Sequence, residues 1–147
     1  MDTLDRKILQ TLQQDARMSN VQLAQAVNLS PSACLRRVQA LEESGVIRGY
    51  RVITDPEQMG KGFLAYITVG LSSHTKTAQE NFERAMYIAD EVVECHNVAG
   101  RFEYLLRVEA RDLAHYKYFH TDILGTQPHV SAISTHIVMH SAKDERG

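Results

Sequence analysis

The 147-residue chain has two cysteines, no surplus of positive charge and no apolar run near the roughly 18 residues that would span a bilayer. Each shortage excludes a class. Cys34 and Cys95 lie far apart without C-x-x-C spacing, which argues against a disulfide scaffold or zinc finger and suits a reducing cytoplasm. The opening Met1-Asp2-Thr3-Leu4-Asp5-Arg6 is charged from its second residue and has no apolar h-region, so no signal peptide is expected and the location expected is cytoplasmic. The sequence contains no G-x-x-x-x-G-K-[ST], G-x-G-x-x-G or G-x-S-x-G pattern, so phosphate-loop and nucleophile-elbow enzymes have no support; no enzyme activity and no cofactor is expected. With 16 Lys and Arg against 18 Asp and Glu the net charge is -2, which counts against a surface coated with basic charge for nucleic acid. What is present is 44% hydrophobic residues, enough for a buried core.

The net charge conceals a division. Residues 1–53 hold seven basic side chains (Arg6, Lys7, Arg17, Arg36, Arg37, Arg48, Arg51) against five acids, a net of about +2 that leaves about -4 for the remainder. All seven histidines and five of the six tyrosines also fall after residue 53. Two modules are therefore expected, residues 1–53 and 63–147. The Pro- and Gly-punctuated stretch 54–62 links them.

In the first module, Leu4, Ile8, Leu9 and Leu12 recur at helical spacing, predicting an amphipathic helix from Thr3 to about Asp15. Ser19 and Gln22 form an S-x-x-Q capping box ahead of Leu23, Ala24 and Val27, and Asn28 ends that second helix. Ser30-Pro31 then starts a third, because proline at the first helical position loses no hydrogen bond. Cys34, Leu35, Val38 and Leu41 supply its inner face, and Gly45 its stop. Two short helices across so tight a turn, braced by a preceding helix, predict a helix-turn-helix whose third helix reads double-stranded DNA. Ser30, Ser32, Ala33, Arg36 and Arg37 occupy its first turns: arginine can pair with guanine or phosphate, and alanine permits close approach or touches a thymine methyl. A generic three-helix core with a polar outer face shows the same periodicity. Residues 46–53 are rich in β-formers and predict a short strand or wing, where Arg48 and Arg51 either reach phosphate or are solvated.

The second module opens with Phe63, Ala65, Ile67, Val69 and Leu71 alternating with Leu64, Tyr66, Thr68 and Gly70, a strand. A helix through Phe82, Ala85, Met86 and Ala89 follows, then strands at 92–98 and 103–110, a helix from near Asp112 and a fourth strand at 130–140. This βαββαβ order predicts a ferredoxin-like fold, two helices on one face of a four-stranded sheet, so the whole is α+β: a winged helix-turn-helix plus a ferredoxin-like domain. Leu64, Tyr66 and their strand-mates are expected to leave a sizeable apolar surface on the other face, which a second protomer would cover. A two-fold dimer with two reading helices favours a pseudo-palindromic site.

Metal chemistry finds little footing. His136 and His140, on one face of the predicted last strand, would stand about 13 Å apart. His115 and His120 miss the i, i+4 spacing, so no metal is expected. In the turn Asn97-Val98-Ala99-Gly100-Arg101-Phe102-Glu103-Tyr104, glycine lets a ligand approach the backbone, and Arg101 and Glu103 could hold the carboxylate and ammonium of an amino acid. An ordinary hairpin with solvated charges reads the same way.

The motifs Leu4-Asp5-Arg6-Lys7-Ile8-Leu9, Leu29-Ser30-Pro31-Ser32-Ala33-Cys34-Leu35-Arg36-Arg37-Val38, Glu94-Cys95-His96-Asn97-Val98-Ala99-Gly100 and Thr135-His136-Ile137-Val138-Met139 resemble the Lrp/AsnC family of transcription regulators over almost the whole chain. The resemblance implies sequence-specific DNA binding, a C-terminal effector and assembly domain, a homodimer that often assembles to an octamer, and an amino-acid effector, often leucine. It places the effector between dimers near the glycine turn and the last strand, implicating Val98, Gly100, Arg101, Glu103, Tyr104 and His136. Arg101 and Glu103 stand where the family frequently has aspartates, and His129 replaces the usual glycine of a turn. The related sirohaem decarboxylases share the two-part layout and supply the enzymatic alternative; a ligand-sensing module that does not bind DNA is the other.

Overall fold

A computed structural model describes residues 1–146 and divides into two compact units, Met1–Val52 and the chain from Ile53 onward. In the first unit, α1 (Thr3–Gln14) starts on a reciprocal capping box: Asp2 accepts the Asp5 N–H at 2.9 Å, and Asp5 accepts the Asp2 N–H at 3.2 Å. A second box between Ser19 and Gln22 starts α2 (Asn20–Val27), which Asn28 closes in the left-handed conformation, φ 58°. The chain then re-enters a helix at once, α3 (Pro31–Glu43), with the Ser30 hydroxyl accepting the Ala33 N–H. Ile8, Leu23, Ala24, Val27, Cys34 and Leu41 are buried together, so each helix contributes to one small core. Ile8 has no exposed surface, and burying such a side chain stabilises by about 1.5–3 kcal/mol.

The strand expected at residues 46–53 does not form. A strand needs a ladder partner, and the first unit has none among its described residues. The segment is coil, held instead by the Ile47 N–H on the Leu41 carbonyl at 3.0 Å and the Tyr50 hydroxyl on Glu42 at 2.8 Å. Gly45, at φ 78°, makes the turn out of α3.

The second unit runs β1 (Phe63–Leu71), α4 (Lys76–Ile88), β2 (Val92–Asn97), β3 (Tyr104–Ala110), α5 (Leu113–Tyr118), a π-helical segment (Phe119–Leu124) and β4 (Val130–Ile137). The strands form one antiparallel sheet in the order β2-β3-β1-β4. Alternation sorts the side chains: Ala65, Ile67, Val69 and Leu71 of β1 and Tyr104, Leu106, Val108 and Ala110 of β3 are buried with Phe82, Met86, Tyr116, Phe119 and Leu124 from the helices. Tyr116 also hydrogen-bonds Thr135 of β4. β4 ends three residues earlier than its β-forming composition suggested, so His140 is not on the strand.

The opposite face corrects the expected apolar surface. There the register lines up His136, Tyr66, Arg107 and Glu94 across all four strands, interrupting Leu64 and Leu105 with polar and charged groups. Arg107 is 7% exposed. It donates to the Tyr66 hydroxyl at 2.7 Å and meets Asp144 of the C-terminal segment at 3.4 Å, while Arg146 pairs with Glu94 at 2.8 Å. Among the described residues, no helix is long and apolar enough to cross a membrane.

His129 adopts φ 71° where its carbonyl accepts both the N–H and the hydroxyl of Ser72. The left-handed region costs an L-residue about 1–2 kcal/mol, against about 0.5–1 kcal/mol lost to glycine's greater freedom when unfolded. His129→Gly is therefore expected to raise the thermal unfolding midpoint by a few degrees, and the β-branched His129→Val to lower it. Scanning calorimetry of both variants checks this; a lower midpoint for the glycine variant rejects the strain.

Candidate functional site

Helix α3 carries the first group of candidate residues. Ser30 is its N-cap, and Ser30 and Ser32 are exposed with their hydroxyls 3.4 Å apart. Ala33 is half-buried and Arg36 exposed. Cys34, one residue beyond Ala33, faces the core, and burial raises its thiol pKa, so it is a packing residue and a poor nucleophile. The Asn20 amide donates to the Pro31 carbonyl at 2.8 Å, fixing the start of α3 on the start of α2. Beside α3 lies an open groove of about 760 Å³, bordered by Ala33, Arg36, Arg37 and Ala40 together with Met1 and Asp5.

Arg37 differs from Arg36 in kind. Its Nη1 donates to both carboxylate oxygens of Asp2, at 2.8 and 2.9 Å, and to Asp5 at 3.0 Å. The two acids that cap α1 thus also fasten α3 to it, and Arg37, expected as a DNA contact, is paired within the chain through Nη1. The Asp2-x-x-Asp5 spacing was a visible capping signal, but nothing in the order of residues says that Arg37, 32 positions beyond Asp5, closes the arrangement. Arg48 and Arg51 are exposed on the coil that follows α3.

The glycine turn carries the second group. Gly100 lies at φ 157°, and a Cβ built there would meet no atom within 4 Å, so the turn is open on that side. Arg101 is exposed and Val98 half-buried, its N–H on the Glu103 carbonyl at 2.9 Å. Glu103 is engaged within the chain: one carboxylate oxygen accepts the Leu71 N–H at 2.9 Å and the other lies 3.1 Å from His74 Nδ1. The structure therefore gathers Val98, Gly100, Arg101 and Glu103 in one turn but does not add the other two candidates. Tyr104 faces the helices, its ring centroid 4.6 Å from Phe82, with no exposed surface. Burial first, and then the Glu83 carboxylate, push its pKa up to about 12, and its hydroxyl has no hydrogen-bond partner among the described residues. Tyr104 is thus a core residue, for a reason the strand period supplies: it shares a face with Leu106 and Val108. His136 lies on the other face, opposite Tyr66. Residues the sequence reading missed are Arg107 and Asp144; an arginine in a strand between Leu106 and Val108 was the available signal.

His115 is held within the chain. His115 accepts the Arg111 N–H at Nδ1, which places its proton on Nε2, 3.2 Å from Glu91. Among the described residues no group of three or more His, Cys, Asp or Glu is placed to hold a metal ion.

Comparison with known proteins matches both halves of the chain. Residues 1–48 match the model of a winged helix-turn-helix DNA-binding domain, and residues 64–147 that of the Lrp/AsnC ligand binding domain. The proline dehydrogenase transcriptional activator of Rhizobium radiobacter is 38% identical over 98% of this chain and 92% of its own length. The leucine-responsive regulatory protein of Escherichia coli K12 is 36% identical over 97% and 87%. Among solved structures, a transcriptional regulator from Neisseria meningitidis in complex with L-Met superposes with a TM-score of 0.93 at 35% identity, covering 98% of this chain and 93% of that one. AsnC from E. coli gives a TM-score of 0.86 at 26% identity, covering 98% and 95%.

The Asp2–Arg37–Asp5 clamp generates a contrast between adjacent arginines. Arg37→Ala is expected to lower the unfolding midpoint of the full chain, and Arg36→Ala to leave it unchanged. The Asp5 N–H first, and then Arg37, hold the Asp2 carboxyl below its ordinary pKa of 3.8. The contribution is therefore complete above pH 3.8 and is lost as the pH falls through the lowered value, where the two variants should converge. Thermal melts at pH 7 and pH 2 measure it; equal midpoints at pH 7 reject the clamp.

Proposed function

The chain belongs to the Lrp/AsnC family of DNA-binding transcription regulators, and from that premise we propose that α3 reads a specific DNA sequence and that an amino acid bound at the glycine turn changes how the protein assembles. The exposure of Arg36 carries the DNA reading. It stands in the first turns of α3, next to the exposed Ser30 and Ser32 and the small Ala33, while its neighbour Arg37 is consumed internally. A helix of this kind presents its N-terminal residues to the major groove, and an unencumbered guanidinium there can take guanine O6 and N7 together or a phosphate. Ser30 and Ser32, at the positive end of the helix, fit phosphate.

For the effector, the supporting feature is the openness of the turn. Gly100 gives a ligand access to the backbone, and Arg101 offers a cation for its carboxylate. The turn has one wall only, since Tyr104 and His136 point elsewhere. A second copy of the chain supplies the other wall in this proposal, which ties binding to a homodimer and, through further contacts, to an octamer. That the Neisseria meningitidis regulator was solved with L-Met supports an amino acid as the class of effector.

Binding to the DNA upstream of the protein's own coding sequence, compared with random DNA at physiological salt, tests the first half; equal affinity for the two refutes sequence-specific reading. Arg36→Ala is expected to cost about 1–3 kcal/mol of DNA binding. If Arg36 contacts a base, specificity relaxes at that position; if it contacts phosphate, all sequences weaken alike and the salt dependence becomes shallower. Gly100→Val is expected to abolish the amino-acid response, read as a change in assembly size, while DNA binding persists.

A further inference from the structure

The coil that follows α3 doubles back on the helix it leaves. The Gly45 N–H bonds the Glu42 carbonyl at 3.1 Å and the Ile47 N–H bonds the Leu41 carbonyl at 3.0 Å, so Ile47 stands again beside the last turn and packs against the small core. A second tie follows. The Tyr50 hydroxyl donates to the Glu42 carboxylate at 2.8 Å. Burial first, and then Glu42, raise the Tyr50 pKa above its ordinary 10, so the hydroxyl keeps the proton it donates at neutral pH. The chain is thus fastened to α3 at residues 47 and 50, and Arg48 lies between the two ties.

Arg48 is the informative residue. It is exposed, and among the described residues nothing pairs with it. A guanidinium carried on a pinned backbone gives up less freedom on binding than one on a loose tail. Its surroundings say where such a cation is needed. Helix α3 has 13 residues, about 20 Å of length, whereas the major groove is about 12 Å wide, so a helix with its first turns at base edges brings its last turn to the phosphates. That last turn is acidic. Glu42 and Glu43 are both exposed there, and at about 100° per residue Glu43 falls within about 20° of Arg36, on the same outward stripe. Two carboxylates repel a phosphate backbone, and a cation held beside them offsets that repulsion.

We propose that Arg48 is a second DNA contact, to a backbone phosphate beside the C-terminal end of α3, and that Tyr50 is the positioning residue that holds it there through Glu42. The proposal rests on α3 entering the major groove. It assigns the two arginines of the exposed surface different tasks: Arg36 stands in the first turns of the helix, where sequence is read, and Arg48 at its far end, where a phosphate contact fixes register and carries no sequence information. Tyr50 touches no DNA in this arrangement. Its effect on binding passes entirely through the place of Arg48.

Fluorescence anisotropy of the full chain tests it, with a duplex from upstream of the protein's own coding sequence and a random duplex of equal length, each titrated over a series of salt concentrations. Arg48→Ala is expected to weaken both duplexes by the same factor, about threefold or more, and to lower the slope of log affinity against log salt by about one. Its thermal unfolding midpoint should stay that of the parent. Tyr50→Phe, which keeps the ring and removes the hydroxyl, is expected to give a smaller loss of the same kind, with a shallower slope that a purely structural role would not produce. The double variant should bind no more weakly than Arg48→Ala alone, since no guanidinium is left to position. Unchanged affinity and slope in Arg48→Ala overturn the contact, and a loss confined to the upstream duplex overturns its assignment to phosphate. Losses that multiply in the double variant overturn the role of Tyr50. If Arg36→Ala weakens binding and Arg48→Ala does not, this proposal falls while the reading by α3 stands; if the parent binds both duplexes equally and Arg48→Ala weakens both, the reverse holds.

Discussion

The antiparallel pairing of β1 with β3, with Ile67 opposite Leu106 and Tyr66 opposite Arg107, is the constraint from which the second unit follows. Because side chains alternate, a single register decides two faces at once. One face collects Ala65, Ile67, Val69, Tyr104, Leu106 and Val108, too apolar to stay in water, and so fixes where α4, α5 and the π-helical segment must lie. A slip of one residue would exchange the faces, putting Arg107 into that core and Leu106 into the open. The same ladder sets the glycine turn, since the Glu103 N–H bonds the Val69 carbonyl and its carboxylate takes the Leu71 N–H at the bulge between Gly70 and Leu71. The turn is open at Gly100 because it is anchored at Glu103.

In the first unit the equivalent constraint is ionic and sits at helix ends. α1 and α3 share the buried surface of Ile8, Cys34 and Leu41, but apolar packing alone does not specify rotation of one helix about its axis. Arg37 on Asp2 and Asp5 does, because one guanidinium nitrogen whose two N–H groups bridge two carboxylates tolerates little rotation. Arg36, one residue earlier, is offset by about 100° around the helix and is turned to solvent as a consequence. An ordinary i, i+1 pair of arginines is thereby divided between an internal ion pair and an exposed position on α3.

Local signals with their own chemistry were legible in the sequence. The capping boxes at Asp2 and Ser19, the Ser30-Pro31 start, the left-handed Asn28 and the alternation from Phe63 to Leu71 each carry their cause within a few residues, and the elements they mark are where the pattern placed them. The strand at 46–53 failed for the opposite reason: β-forming residues state a preference, whereas a strand requires a partner, and the partner is not encoded locally. The candidate sites divide in the same way. Exposure of Ser30, Ser32 and Arg36 follows from helical period, and the openness of Gly100 from its lack of a side chain. The place of Tyr104 in the core follows from strand period, whereas the engagement of Arg37 by Asp2 and of Glu103 by Leu71 depends on a residue more than 30 positions away in the chain.

The distribution of charge acquires a different meaning once these partners are known. An excess of about two positive charges in residues 1–53 suggests a weakly basic reader, yet charge that is paired internally contributes little to the field a polyanion meets. Arg37 is more than offset by Asp2 and Asp5, one cation against two carboxylates, leaving the positive field of the first unit to side chains such as the exposed Arg36 and Arg48. One exposed arginine on a reading helix is a more economical way to meet DNA than raising the net charge of the chain. The same holds with opposite sign in the second unit. Glu94 and Asp144 are paired to Arg146 and Arg107, so the open sheet face is more evenly balanced than the net of -4 suggests. A balanced, ordered charge pattern of this kind does not repel a second copy of itself.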